Sequence, residues 1–336
     1  MRTGAFALLL VLLGLLFLAH LAIGSVRVPL VEVFAGLFGT TKDPAHALIV
    51  GGVRLPQALT AMLAGAGLAT SGLLMQTLFR NPLAGPSVLG IGSGAGLAVA
   101  VVMLAGPFWR SWGLPADLVI EGAAIAGAFA VLAIILFADR RVQDGITLLI
   151  VGLMLGYLCA ALVSFLEVAS DSAALKGFVL WGMGSFAQVT TERLPWLAVP
   201  VLVGTLAALR LVKPLNALLL GEAYAHSLGT RVNRLRTGLI LITGVLAGTV
   251  TAFCGPIAFL GLATPHVARA LLGTGDHTRL LPATLLMGAV LALACDLVVR
   301  WPGLAGRVPL NAVTSLLGAP VVVWVLLRGR NWVRGT

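Results

Sequence analysis

The sequence predicts an all-α protein, a polytopic membrane helix bundle of about ten transmembrane helices with an inverted repeat. Three observations carry this. The 336 residues are 59% hydrophobic and only 10% charged, too little polar surface to clothe a water-soluble domain of that length. The apolar residues fall in runs of about 20, the length that crosses a bilayer core as a helix. Lys and Arg between those runs are distributed unevenly between the two sides they would face. Residues 1–336 read as a single transmembrane domain.

The runs lie at 4–25, 55–79, 87–108, 117–138, 146–168, 194–211, 235–254, 256–272, 280–299 and 309–327. The first follows Arg2 but outruns a signal-peptide core, and no A-x-A cleavage pattern follows it, so it is read as a membrane helix. The eighth is short and holds Pro265, His266 and Arg269, which suits a broken or tilted helix buried in protein. Gly92 with Gly96, Gly152 with Gly156 and Gly244 with Gly248 have the GxxxG spacing that lets helix backbones approach closely. Cys159, Cys254 and Cys295 are widely spaced, form no CxxC pair and read as small packing residues.

With both termini cytoplasmic, ten spans put fourteen of the 22 Lys and Arg inside against four acids. Eight cations balance eight acids outside, so the inner side holds the whole net charge of +10. Lys42 and Arg110 are counted outside, Arg330 and Arg334 inside. The cations stand singly or in pairs between apolar runs and form no stripe for nucleic acid. Leu63-Ala64-Gly65 precedes Gly72 and Pro82 at the spacing with which Leu246-Ala247-Gly248 precedes Gly255 and Pro265. The two copies would cross the membrane in opposite senses, the inverted relation common in transporters.

Catalytic chemistry has little footing. None of the three lysines, Lys42, Lys176 and Lys213, completes a GxxxxGK[ST] phosphate loop, HExxH is absent, and no metal cluster or Ser, His and Asp constellation stands out. Among ionisable groups in apolar surroundings, Glu121, Glu167, His266 and Asp296 call for an explanation. Glu121 and Glu167 fall near outer span ends, where a solvated carboxylate suffices. The segment 214–236 is longer and more charged than a connection needs. Within it Gly221-Glu222-Ala223-Tyr224-Ala225-His226-Ser227-Leu228-Gly229 reads as a short helix outside the membrane, with an acid at its start and a stop glycine. A partner-docking role is expected of it.

These residues resemble the FecCD-type permease subunits of binding-protein-dependent importers for iron siderophores, haem and cobalamin. The likeness runs along essentially the whole chain. It rests on Arg54-Leu55-Pro56, Gly72 with Gln76, Arg80-Asn81-Pro82-Leu83-Ala84, Pro86 and Leu89-Gly90, and Trp181-Gly182-Met183-Gly184-Ser185-Phe186. It continues with Gly221-Glu222, Leu228-Gly229, Phe259-Leu260-Gly261-Leu262, Pro265-His266 with Arg269, Asp276-His277 with Leu281-Pro282, Asp296 with Arg300, and Thr314 with Gly318-Ala319-Pro320.

The resemblance implies a subunit of the bacterial cytoplasmic membrane that pairs with a second permease copy, two cytoplasmic ATPase subunits and an extracytoplasmic solute-binding protein. It implies that ATP and Mg are bound by the ATPases, with no cofactor on this chain. Gly221, Glu222, Ala223, Ala225, Leu228 and Gly229 match the ATPase-coupling helix. Asn81 and Leu83, with Asp144, Gly145 and Ile146, match the cytoplasmic gate, and Arg54 and Arg300 match arginines that pair with the binding protein. The cargo would be a metal chelate, ferric siderophore first, then haem, then cobalamin. Gln57, Gly85, Arg307 and Asn311 depart from the family's usual Arg, Asp, Glu and Gly. An ion- or proton-coupled secondary transporter and a non-transporting membrane scaffold are the alternatives from other classes.

Overall fold

In the computed structural model, residues 2–24, 26–40, 43–106, 113–142, 144–304 and 306–328 are described. Lys42, Arg110, Arg330 and Arg334 of the charge split lie outside them. Among the described residues the regular structure is all helical, without strands. In chain order come α1 (Arg2–Ala22), α2 (Leu30–Leu37), α3 (Pro44–Ala47), a π-helical stretch (Leu48–Arg54), α4 (Leu55–Leu78) and a 3-10 turn (Pro86–Leu89). Next are α5 (Ile91–Leu104), α6 (Ala116–Arg141), α7 (Gly145–Ala169), α8 (Ser172–Gly182), α9 (Leu194–Arg210) and α10 (Val212–Leu219). Last come α11 (Glu222–Ser227), α12 (Val232–Cys254), α13 (Leu260–Leu272), α14 (His277–Val299) and α15 (Leu310–Arg328).

Each expected apolar run holds a helix, yet fewer than ten pass as spans. Among the described residues, six helices are long and apolar enough to cross a membrane: Gly4–Ala22, Pro44–Leu78, Ala116–Arg141, Gly145–Ala169, Val232–Cys254 and His277–Val299. A seventh arises if α9 and α10, bent by 57° at their junction, count as one span. Helix α5 is only 14 residues long, because the chain entering it is first taken up by the turn Pro86–Leu89. The eighth run is helical only in part: Gly255 just before it and its residues 256–259 are not helical, with positive φ at Gly255 and Phe259, and α13 then runs unbroken through Pro265 from Leu260.

Helix α4 is the hub, buried on nearly every side because it is built from Ala, Gly, Ser and Thr. Gly65 faces Gly288 of α14 so closely that a Cβ on either would overlap the other's carbonyl oxygen, and a Cβ on Gly72 would overlap the Gly261 carbonyl. Of the three GxxxG pairs, Gly244 and Gly248 pack on Leu132 and Ala128 of α6, and Gly152 packs on the Val88 carbonyl. Gly96 faces open space instead, and a Cβ on Gly92 would only graze the Thr251 hydroxyl at 4.0 Å. On α5 the close approach is made by Gly94 against Gly127 of α6, with Ala98 one turn on, so the small-residue stripe lies on another face of that helix.

The repeated spacing is only partly reflected in local structure. Both Leu-Ala-Gly triplets lie inside buried helices, α4 and α12, but Gly72 is mid-helix where Gly255 ends a helix, and Pro82 sits in a turn where Pro265 sits within α13.

Candidate transport sites at the two ends of the bundle

One end of the bundle, called inner after the charge asymmetry, gathers α10, α11, the turn after α4 and the starts of α7 and α14. The bend at Leu211 carries the chain out of α9, and α10 buries Leu215 and Leu218. Gly221 then adopts φ +107°, ψ 156°, a conformation that suits glycine. Helix α11 is held by the single buried side chain of Ala225, while Glu222, Ala223, Tyr224, His226 and Leu228 are exposed. A second positive φ at Gly229 ends the excursion. The result is a small knob with an acid at its start and apolar Tyr224 and Leu228 on its surface.

The expected gate residues come together beside it. Asn81 Oδ1 accepts the Leu83 amide at 2.9 Å, and the Asn81 carbonyl accepts from Ala84 at 3.1 Å, folding the turn so that Leu83 stays exposed. Asp144 caps α7, accepting the Thr147 amide at 2.9 Å and the Thr147 hydroxyl at 2.8 Å. Those two bonds hold its carboxyl below the usual carboxylate range. A Cβ on Gly145 would touch the Phe79 ring at 3.4 Å, so the start of α7 abuts the end of α4, and Ile146 is exposed nearby. Arg236 of α12 ties this corner together, paired with Asp139 and donating to the Asp144 carbonyl at 3.3 Å.

At the other end the two expected docking arginines lie together but are turned inward. Arg54 is 3% exposed and donates to the carbonyls of Leu21 at 2.7 Å, Ala22 at 3.0 Å and Val26. Arg300 donates to the carbonyls of His20 at 3.1 Å and Ile23 at 3.0 Å. Both therefore cap the C-terminal end of α1, where helix carbonyls lack partners and favour cations. His20 donates from Nε2 to Asp296 at 2.5 Å and accepts at Nδ1 from Arg300 at 2.7 Å. Gln57 donates to the same carboxylate at 2.9 Å, a neutral donor beside the charged ones. His20 lies unmarked in the first apolar run, and no spacing signal in the sequence singles it out.

Arg54, Gln57, Asp296, Arg300 and the exposed Arg307 line a cavity of about 700 Å³ at this end. Asn311, next in the chain to the lining residue Leu310, is a structural joint. Its side chain donates to the carbonyls of Gly182 at 3.1 Å and Pro256 at 2.7 Å and accepts from the Ala258 amide at 3.0 Å. It thus joins the end of α8 to the non-helical break before α13. Glu121, read as solvated, pairs with Arg193 at 3.2 Å instead.

A helical membrane bundle with a knob and polar turns at one end and a charged cavity at the other is built as a multi-pass permease. The chain belongs to the FecCD transport family, whose model matches residues 10–328. It is 39% identical to the vitamin B12 import system permease protein BtuC of Klebsiella pneumoniae, over 84% of each chain. It is 37% identical to the hemin transport system permease protein HmuU of Yersinia pestis, over 94% of this chain and 95% of that one. Its fold superposes, with a TM-score of 0.84, on a metal-chelate type ABC transporter solved in an inward-facing conformation, at 33% identity and covering 98% of this chain and 100% of that one.

Proposed function

We propose that this chain is the membrane-spanning subunit of an ATP-driven, binding-protein-dependent importer for a metal chelate. The observation that carries the reading is the knob of Glu222–Ser227, which two glycines set off the bundle beside the gate turn. It serves as the docking point for a cytoplasmic ATPase that binds ATP and Mg. The subunit works as a pair, with two ATPases below and a solute-binding protein outside. Ten crossings, α5, α13 and α15 included, with both termini cytoplasmic and two inverted halves, complete this picture in the inner membrane. Asn81, Leu83, Asp144, Gly145 and Ile146 form the inner gate.

No covalent step is required. ATP binding and hydrolysis in the partner subunits move α11, and the spans reorient around the pathway. Arg54 and Arg300 contribute to docking from the outer end by fixing the end of α1, and by pairing with binding-protein acids once an approaching carboxylate competes with the carbonyls. The relatives' cargoes, vitamin B12 and hemin, put a tetrapyrrole chelate ahead of the ferric siderophore ranked first under the family resemblance.

The test is uptake of radiolabelled vitamin B12, hemin and ferric siderophore in deleted and complemented cells, with ATP depletion and an uncoupler compared and a Glu222→Ala chain included. Uptake of one chelate that needs the chain, collapses without ATP and weakens in Glu222→Ala is expected. Uptake abolished by the uncoupler at normal ATP would establish a proton-coupled transporter instead.

A further inference from the structure

Helix α10, which leads into the knob, and the gate turn are joined by a run of hydrogen bonds, fully buried between Thr77 and His277 and part-buried elsewhere. On α10, Asn216 Nδ2 donates to Asp276 Oδ1 at 2.7 Å. Asn216 Oδ1 accepts from the His277 amide at 2.8 Å and from His277 Nδ1 at 2.9 Å. An amide oxygen only accepts, so Nδ1 of His277 carries the proton. In the neutral ring Nε2 is then an acceptor, and the Thr77 hydroxyl on α4, 2.8 Å from it and 2.8 Å from the Leu73 carbonyl, gives its one proton to the ring. His277 is fully buried and Thr77 nearly so. The order donor to acceptor runs one way, from Thr77 through His277 to Asn216 and on to Asp276.

The residue before Thr77 continues the connection. Gln76 accepts from Arg269 Nη1 at 2.7 Å and donates to the Leu262 carbonyl at 3.0 Å, both on α13. One turn from Leu262, His266 meets the carbonyl of Pro82 in the gate turn at 2.8 Å. The gate turn also touches the knob's entry directly, since a Cβ on Gly221 would lie 3.8 Å from Arg80 Nη1. Packed helices with fixed polar contacts move as discrete bodies, which suits a rigid linkage better than a flexible tether.

We infer that Asn216, His277, Thr77, Gln76 and His266 are positioning residues that carry movement of the ATPase-docking knob to the gate turn at Asn81–Leu83. This rests on the reading of α11 as the ATPase contact. The linkage has two arms that meet at the end of α4, so cutting either should leave ATP hydrolysis running while the gate no longer follows it. The demonstration needed is of coupling between the ends, not of proximity alone.

The experiment uses the assembled importer, permease with ATPases and binding protein, in proteoliposomes supplied with radiolabelled vitamin B12, hemin or ferric siderophore. Wild-type vesicles that take up none of the three with ATP sink the ATP-driven reading and the linkage with it. Where wild type transports, Thr77→Val, which keeps the shape and deletes the hydroxyl, is expected to lower chelate imported per ATP hydrolysed by about 10-fold, the scale of one buried hydrogen bond. Its ATPase rate should stay within about twofold of wild type, and Thr77→Ser should restore import. Asn216→Ala should give the same uncoupling, and the double variant no more than either alone. Parallel loss of hydrolysis and import, or unchanged import, in Thr77→Val overturns the inference while leaving the importer intact. So does failure of both Thr77→Val and Asn216→Ala to assemble, which would make the cluster a folding element.

Discussion

The guanidinium groups of Arg54 and Arg300 meet across Gly24, where a Cβ would lie 3.0 Å from Nη2 of Arg54 and 3.1 Å from Nη2 of Arg300. Two cations tolerate this proximity because each is spent on carbonyls ending α1 and Asp296 sits 3.9 Å from Arg300. Gly24→Val should displace both and lower stability by about 1–3 kcal/mol, the usual cost of overpacking. Gly4→Val, with nothing within 4 Å of its Cβ, should be silent. Thermal unfolding in detergent compares them.

Asp296 is the counter-charge that makes this corner possible, held by His20, Gln57 and Arg300. Asp296→Leu leaves the partly buried Arg300 without its anion and should cost up to about 3 kcal/mol, the low end for a broken buried pair. Asp296→Asn keeps an acceptor for Gln57 and should cost less. Equal melting temperatures for both variants would show that shape, not charge, fills this position.

The contrast between the ends explains what the sequence could disclose. Apolar runs mark helices because period and length are local, and all ten positions hold one. The loop of α11 was legible because its acid, small residues and glycines are contiguous. Partners of Arg54 were not, since they are backbone carbonyls some thirty residues away, and any residue type supplies a carbonyl. His20 and Thr77 were invisible for a related reason. A single polar residue in an apolar run declares that it needs a partner, not which helix brings one. Helices α2, α3 and α8 were missed because short segments outside the spans carry little periodic signal.

Glycine spacing was similarly incomplete as a guide, and Gly65 and Gly96 separate the two cases. Gly65→Ala drives a methyl into the Gly288 carbonyl, so α4 and α14 must part, at about 1–3 kcal/mol. Gly96→Ala meets nothing within 4 Å and should match or slightly exceed wild-type stability, since alanine is the better helix former. Unfolding temperatures of the purified permease decide it.

Asp144 should make the start of α7 sensitive to acid. Its carboxyl is held below its ordinary value by the Thr147 amide and hydroxyl. A depressed folded pKa means that the cap is fully present above the unfolded carboxylate pKa and is lost as pH falls through the folded one. The protection factor of the Thr147 amide, corrected for intrinsic exchange, should therefore drop at pH below about 4. Asp144→Ala should show the low value at neutral pH, and Asp144→Asn, still a good cap, should not.

The last prediction concerns the entry to α11. Gly221 stands at φ +107°, a region an alanine reaches only with strain, and Gly229 stands at +81°. Because α11 projects from the bundle with only Ala225 buried, reorienting it exposes little core. Gly221→Ala should leave the permease's melting temperature near wild type, yet reduce recovery of the ATPase in pull-down by about 10-fold, equivalent to ~1.4 kcal/mol of lost docking. Gly238→Ala, with an ordinary φ and open space around it, should recover the ATPase normally. Full recovery with Gly221→Ala would mean that the ATPase reads some surface other than this knob. A fall confined to Gly221→Ala and Gly229→Ala would show that the orientation these glycines impose, and not only the side chains of Glu222 and Leu228, is what the partner recognises.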